Sequence, residues 1–223
     1  MPGGRIGVLG GIGPEATAEF YRKLVQGLQG KGVIKGNRDF PQIIINSIPA
    51  PELIHEKISE KELQAYIDGL RELDGFGVDF IVMVCNTIHL FYARLQSEIR
   101  TPIVDLREEM RLFLMRNGIK SALVIGTPAT VGRGLYRFSG IRYFELDRND
   151  IGVLSSAIMN FNMGIEKQRQ AQRVMEICGK YPSAQAIILG CTEFGVMMGG
   201  GRTINPIDIL VEATILRVFY NNF

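Results

Sequence analysis

Two cysteines stand in matching surroundings in this 223-residue chain. Cys85 ends an apolar run and precedes Asn86-Thr87, and Cys191 ends another and precedes Thr192-Glu193. This pattern predicts a thiol where a buried strand ends and a helix begins, the edge at which open α/β sheets bind ligands. Unpaired amides at a helix start hold anions and lower the pKa of a thiol. We therefore predict that Cys85 and Cys191 form a pair of functional thiols.

Two thiols that face one carbon atom from opposite sides can invert its configuration. One of them, as a thiolate, removes a proton, and the other, as a thiol, delivers a proton to the opposite face. Without an electron sink, hydrogen-bond donors must stabilise the charge that develops on the substrate carboxylate. The candidate donors lie in turns or carry hydroxyl and amide groups: residues 11–13, Asn86, Thr87, Thr127, Thr130 and Thr192.

The elements that must position these groups alternate between strands and helices. Short apolar, β-branched runs bounded by turn residues predict the strands. They are Ile6–Gly10, Gln42–Asn46, Asp79–Val84, Ile103–Asp105, Ser121–Gly126, Arg142–Leu146, Gln185–Gly190 and Thr203–Asn205. Nearly continuous apolar strands separated by helices indicate an α/β fold with parallel sheets covered on both faces.

Helical spacing and capping residues predict the intervening helices. Ser59 and Glu62 form a capping box ahead of a helix, and Gly118 suits the left-handed cap that would end a helix over Arg107–Asn117. Two further helices are predicted over Ile165–Cys178 and Ile207–Tyr220.

The two halves of the chain repeat one pattern of strand, small-residue turn, helices and strand ending in cysteine. This repetition predicts a duplicated half-domain with a crossover near Asp105-Leu106. We predict a first lobe of residues 1–105 plus 207–223 and a second lobe of residues 106–206, with the active site in the cleft between them.

Composition excludes several classes of protein. Hydrophobic residues make up 46% of the chain and charged residues 22%, as in globular domains with a sizeable core. A net charge of +2 without a basic run argues against nucleic-acid binding. The chain has three cysteines, a small and odd number, which argues against a disulfide framework. No apolar stretch has the length of a membrane span, so we expect a cytoplasmic protein that does not bind membranes.

Four motifs resemble those of the aspartate/glutamate racemase superfamily, most closely its aspartate racemase branch. They are GGIGPEAT at 10–17, CNTIH at 85–89, GTPAT at 126–130 and GCTE at 190–193. The resemblance implies two pseudo-symmetric Rossmann-like lobes, each with a mostly parallel four-stranded sheet flanked by helices. It also implies a homodimer and a two-base amino-acid racemase that uses no cofactor, with Cys85 and Cys191 as the catalytic pair.

The resemblance further implies which residues contact a small amino-acid or dicarboxylate substrate: Gly10, Gly11, Asn46, Asn86, Thr87, Thr127, Thr130, Thr192 and Glu193. One departure concerns the substrate's distal group. Ala50-Pro51 stands where the branch carries Asp-Arg, and Arg133 is a candidate replacement for the missing cation. The identity of the substrate is therefore left open.

Other interpretations of the same residues are weaker. Gly11, Gly13 and Ala16 give a glycine pattern of the dinucleotide-binding type, but Pro14 interrupts the turn and no acidic partner ends the second strand. His89 is interpreted as a helix-face histidine that tunes the site or caps structure, and Cys85, His89 and Cys191 make too small a set for a metal site. The remaining alternatives are a related carbon-acid enzyme with another substrate, a thiol-redox protein and a non-catalytic amino-acid binder.

Overall fold

The computed structural model describes residues 4–55 and 58–220 of the chain. Strands and helices alternate along these residues, and every pairing between strands is parallel. The strands are β1 (Arg5–Gly10), β2 (Gln42–Ser47), β3 (Phe80–Met83), β4 (Ser121–Gly126), β5 (Arg142–Phe144), β6 (Ala186–Gly190) and β7 (Thr203–Ile204). The predicted α/β fold with two parallel sheets is confirmed.

The two sheets repeat one topology. The first has the order β2-β1-β3 and the second the order β5-β4-β6-β7. β1 and β4 are therefore equivalent central strands, each flanked by the next two strands of its own half. β3 and β6 are buried along their whole length, because helices cover both faces of each sheet.

Helices of varied length connect and cover the strands. They are α1 (Pro14–Gly30), α2 (Glu60–Gly75), α3 (Tyr92–Gln96), α4 (Leu106–Arg116), α5 (Pro128–Gly132), α6 (Arg148–Asn162), α7 (Lys167–Gly179), α8 (Thr192–Met197) and α9 (Pro206–Tyr220). Short 3-10 helices lie at Asn37–Asp39 and Thr87–Phe91.

The first sheet differs from the prediction of four strands. The expected fourth strand, Ile103–Asp105, is reduced to a single parallel bridge between Ile103 and Ile81. The extended chain ends there because the Asp105 carboxylate caps α4, accepting a hydrogen bond of 3.0 Å from the Arg107 amide. The second sheet has the four strands that were predicted.

Capping residues set the predicted helix boundaries. The Ser59 hydroxyl accepts from the Glu62 amide at 3.3 Å, and the Glu62 carboxylate accepts from the Ser59 amide at 2.7 Å, so the capping box before α2 is confirmed. Gly118 takes a left-handed φ of 62° after α4. Helix α6 was not predicted, although the Asp147 carboxylate caps it by accepting from the Asp150 amide at 2.7 Å.

One cluster of buried apolar side chains runs continuously between the sheets. It includes Val8 of β1, Val124 of β4 and Ile188 of β6. Helix α9 returns to pack against both α1 and α4. The division into lobes of residues 1–105 plus 207–223 and 106–206 stays a prediction, and its ends at 1–3 and 221–223 lie outside the described residues.

Candidate active site

A cavity of about 240 Å³ takes its walls from both halves of the chain. The carboxyl-end turns of β1, β3, β4 and β6 all reach it. Its lining residues are Gly11, Ile12, Gly13, Pro14, Ala50, Glu52, Leu53, Ile54, Cys85, Asn86, Thr87, Thr127, Ile158, Asn162, Cys191, Thr192 and Glu193. The cavity therefore contains both thiols that the sequence singles out.

Strand register gives the two cysteines equivalent positions. Leu9 pairs with Met83 at the end of the first sheet, and Gly126 pairs with Gly190 at the end of the second. Extending each ladder along its strands sets Cys85 level with Gly11 and Cys191 level with Thr127. Each thiol thus stands beside the residue that follows the terminal glycine of a central strand.

Cys85 is buried, with 8% of its surface exposed. It follows β3 and precedes the 3-10 helix Thr87–Phe91, whose first amides, those of Thr87 and Ile88, donate hydrogen bonds that favour the thiolate. Burial outweighs these donors and raises the pKa of the Cys85 thiol to about 12. The amides at the helix start do lower the pKa of Cys85, as expected, but their effect is smaller than that of burial.

Cys191 occupies the N-cap position of α8 and differs from Cys85 in being hydrogen-bonded to a carboxylate. Its Sγ donates a hydrogen bond of 2.8 Å to Oε2 of Glu193, which also accepts from the Thr192 hydroxyl at 3.3 Å. Burial, followed by the negative charge of Glu193, raises the pKa of Cys191 well above its ordinary value. Both cavity thiols are therefore protonated near neutral pH, contrary to the expectation of lowered pKa values.

Three threonine hydroxyls join the two halves beside the thiols. Thr87 Oγ1 lies 3.2 Å from Thr127 Oγ1 and 2.9 Å from Thr130 Oγ1, and Thr127 and Thr130 are bonded to each other at 3.2 Å. All three residues are buried. Thr87 and Thr127 line the cavity, whereas Thr130 lies behind them and supports their orientation.

Asn86 offers an amide group to the cavity. Its Oδ1 accepts a hydrogen bond from the Tyr136 hydroxyl, which fixes the orientation of the amide. Its Nδ2 is buried and has no hydrogen-bond partner among the described residues. Because an unpaired buried donor is costly, an acceptor on a bound ligand would stabilise this arrangement.

The turn between β1 and α1 needs glycine at two positions. Gly11 and Gly13 have left-handed φ values of 82° and 87°. A Cβ atom at Gly13 would lie 2.5 Å from Oε1 of Glu193, so the absence of a side chain lets this turn approach the carboxylate. Helix α1 begins at Pro14, and the start of a helix favours an anion.

Some predicted substrate residues lie outside the cavity lining. Asn46 contacts helix α2 instead, where its Nδ2 donates to the Gly69 carbonyl at 3.1 Å and to Glu72 Oε2 at 2.6 Å. Gly10 packs under the side chain of Thr17. The Arg133 guanidinium lies over the Phe91 ring at 4.8 Å and does not line the cavity.

Several lining residues were not predicted from the sequence. Glu52, Leu53 and Ile54 belong to the connection after β2, and Ile158 and Asn162 belong to α6. The two adjacent apolar residues Leu53 and Ile54 are the one local sequence feature that indicates packing of this connecting segment against the rest of the protein.

His89 is fully buried and does not line the cavity. Its Nε2 lies 3.4 Å from the Met83 carbonyl, and burial lowers its pKa to about 4. The imidazole is therefore neutral at physiological pH, as suits a structural residue. Within residues 4–55 and 58–220, no group of three or more histidine, cysteine or acidic residues is arranged to hold a metal ion.

None of the helices in the described ranges has the length and apolar character needed to cross a membrane. The three cysteines, Cys85, Cys178 and Cys191, are all buried as free thiols.

Known proteins share both the sequence pattern and the fold. The profile of the Asp/Glu/Hydantoin racemase family matches residues 9–214. The broad specificity amino-acid racemase RacX of Bacillus subtilis (strain 168) is 29% identical over 209 residues, which cover 91% of each chain.

Solved structures extend the likeness to the backbone. The Picrophilus torridus aspartate racemase superposes with a TM-score of 0.80 at 21% identity, covering 97% of this chain and 94% of that one. An aspartate racemase homologue from Pyrococcus horikoshii OT3 gives a TM-score of 0.73 at 21% identity, covering 96% and 99%. At these identities the superpositions establish a shared fold.

Proposed function

The chain belongs to the Asp/Glu/Hydantoin racemase family, and from that premise we propose that it is an amino-acid racemase that works without a cofactor. Cys85 and Cys191 are the proposed acid–base pair. The observation that carries this proposal is their equivalent placement: each follows its own strand, and both line one cavity.

The proposed reaction moves one proton off the substrate and another onto it. A thiolate on one side removes the Cα proton and becomes a thiol. The thiol on the other side gives its proton to the opposite face of Cα and becomes a thiolate. The configuration at carbon is inverted, and the two cysteines have exchanged protonation states. The next turnover in the same direction requires the original states to be restored through solvent.

Substrate binding supplies part of the activation that this reaction needs. Both thiols are protonated in the ligand-free protein because burial raises their pKa values. The α-ammonium group of an amino acid brings a positive charge into the cavity, which lowers the pKa of a neighbouring thiol. The thiolate therefore forms preferentially when substrate is bound, and a buried ionised thiol is avoided at other times.

Donors around the thiols are proposed to hold the α-carboxylate and stabilise charge that develops on it. The candidates are the unpartnered Nδ2 of Asn86, the hydroxyls of Thr87 and Thr192, and the amides at the start of α1. Thr127 shares the wall, and Thr130 orients Thr87 and Thr127 through the hydroxyl cluster. Glu193 is proposed as a positioning residue for Cys191.

Exchange of the Cα proton tests the proposal directly. The protein is incubated in deuterated water with a panel of L- and D-amino acids, followed by NMR for exchange and chiral chromatography for inversion. Cys85→Ser and Cys191→Ser should each abolish inversion. Cys178→Ser is the matched control, because Cys178 is also a buried thiol but does not line the cavity.

The alternatives give different readouts. Full activity in both Cys85→Ser and Cys191→Ser would refute the two-thiol mechanism. Tight binding without exchange would identify an amino-acid binder, and a reversible Cys85–Cys191 disulfide would identify a redox protein. The homodimer is a further proposal, which sedimentation velocity tests.

A further inference from the structure

The charged side chains that line the cavity are acidic. Among the described lining residues, Glu52 and Glu193 are the charged ones, and lysine, arginine and histidine are absent. Two cations elsewhere on the molecule are engaged: Arg133 lies over the Phe91 ring, and Lys167 pairs with Glu15. A second carboxylate on a substrate would thus enter beside two negative charges without a counter-charge from the lining.

The two carboxylates differ in what they already hold. Glu193 is buried and accepts hydrogen bonds from Cys191 and Thr192. Glu52 is exposed to solvent at one side of the cavity and has no hydrogen bond or ion pair with any residue in 4–55 or 58–220. Of the two, Glu52 is the carboxylate available to a ligand.

The segment that carries Glu52 is anchored at both sides of the cleft. Leu53 packs in the apolar cluster that includes Leu9 and Met83 of the first sheet. Ile54 packs against the cluster of the second sheet, and its carbonyl accepts from the Ala129 amide at 3.4 Å. Glu52 is therefore held at a defined place in the cavity wall.

Apolar side chains share that wall with Glu52. Leu53, Ile54 and Ile158 line the cavity and can cover the methylene groups of an extended substrate side chain. All α-amino acids present the same ammonium and carboxylate to the thiols, so the distal group decides which substrate is preferred.

We propose, on the basis of the racemase function above, that Glu52 is a specificity-determining residue. It selects amino acids whose aliphatic side chain ends in a cation, of the lysine or ornithine type, over those that end in a carboxylate. The Glu52 carboxylate accepts a charge-assisted hydrogen bond from the distal ammonium, while the apolar wall covers the chain between them.

Three substrates that differ in the distal group test this proposal: L-lysine, L-norleucine, which lacks the ammonium, and L-glutamate. In the wild-type protein, kcat/KM for lysine should exceed that for norleucine by about tenfold, and glutamate should be the poorest of the three. Glu52→Gln should lower kcat/KM for lysine towards that for norleucine, mainly through KM, because norleucine has no distal ammonium group to lose. Glu52→Lys should make glutamate better than lysine.

Glu212→Gln is the matched control. Glu212 is exposed on α9, so this substitution makes the same change in charge away from the cavity. A wild-type preference for glutamate, or an unchanged ratio of lysine to norleucine in Glu52→Gln, would overturn the proposal. If no amino acid shows Cα exchange, the racemase function fails and calorimetric titration of the same ligands decides about Glu52. Tighter binding of lysine than norleucine that is lost in Glu52→Gln supports selection, and equal or absent binding refutes it.

Discussion

The Sγ of Cys191 donates a hydrogen bond of 2.8 Å to the Glu193 carboxylate, whereas Cys85 accepts hydrogen bonds from the Thr87 and Ile88 amides and feels the Glu193 charge without bonding to it. The two thiols therefore occupy equivalent positions in the fold but differ in their local electrostatics. The negative charge of Glu193 favours the thiol form of both cysteines, and backbone amides favour both thiolates; the hydrogen bond to Glu193 adds to the stabilisation of the thiol at Cys191.

Glu193→Gln should lower the pKa of Cys191. The substitution keeps the size of the side chain but removes the charge that opposes ionisation, so the thiolate forms at lower pH. The pH dependence of alkylation, measured in a background with Cys85→Ser and Cys178→Ser, reports this single thiol. Glu212→Gln should leave the profile unchanged, and an unchanged or raised pKa in Glu193→Gln would contradict the prediction.

Gly13→Ala should reduce activity more than its effect on stability explains. An alanine there adopts a left-handed φ at a cost of about 1 kcal/mol, and its Cβ displaces the Glu193 carboxylate. Gly200→Ala is the control, because Gly200 has nearly the same φ of 86° and open space around the position. Urea unfolding should show similar losses of unfolding free energy in the two variants, whereas kcat/KM should fall only in Gly13→Ala. Equal activities in the two variants would refute a functional role for the close approach of Gly13 to Glu193.

Thr130→Val should destabilise the fold by about 1–2 kcal/mol. The substitution keeps the shape of the side chain and removes a fully buried hydroxyl that bonds to Thr87 and Thr127. Thr214→Val serves for comparison, because the buried Thr214 hydroxyl donates to the Leu210 carbonyl of its own helix and has no other partner among the described residues. If Thr130→Val lowers the free energy of unfolding no more than Thr214→Val does, the threonine hydroxyl cluster does not stabilise the contact between the two halves.

Stability should fall at alkaline pH. Unfolded thiols ionise near pH 8.5, whereas Cys85 in the fold keeps its proton to about pH 12. A folded pKa above the unfolded value gives stability that is complete below the unfolded pKa and is lost as the pH rises. Cys85→Ala should reduce this loss by about 1.4 kcal/mol per pH unit between pH 9 and 11. The free energy of unfolding is measured against pH for both proteins by urea unfolding under reducing conditions. The same pH dependence in the two proteins would argue against a protonated Cys85.

Local sequence patterns predicted the elements that carry the thiols. Apolar runs placed β3 and β6, and the Ser59-Glu62 box and Gly118 placed the ends of helices. These features depend on neighbours in the chain, and the fold preserves them.

Features that depend on tertiary contacts were missed. The family resemblance implied that Asn46 contacts the substrate, but its side chain contacts α2. Glu52 lies in a connection without periodicity, and only the packing of Leu53 and Ile54 brings it to the cavity. The raised pKa values of Cys85 and Cys191 arise because burial outweighs the local helix-start effect, and burial depth is set by both sheets together.

The unequal neighbours of the two thiols have a consequence for reversibility. In water the two enantiomers of an amino acid have the same free energy, so the equilibrium between them is symmetric whatever the protein does. For a racemase, kcat/KM must then be identical in the two directions. Because Cys191 is hydrogen-bonded to Glu193 and Cys85 is not, kcat can differ for the L and D forms, but only with a matching difference in KM. A change at Glu193 therefore shifts how tightly each enantiomer is held and how fast each is released, without favouring either at equilibrium.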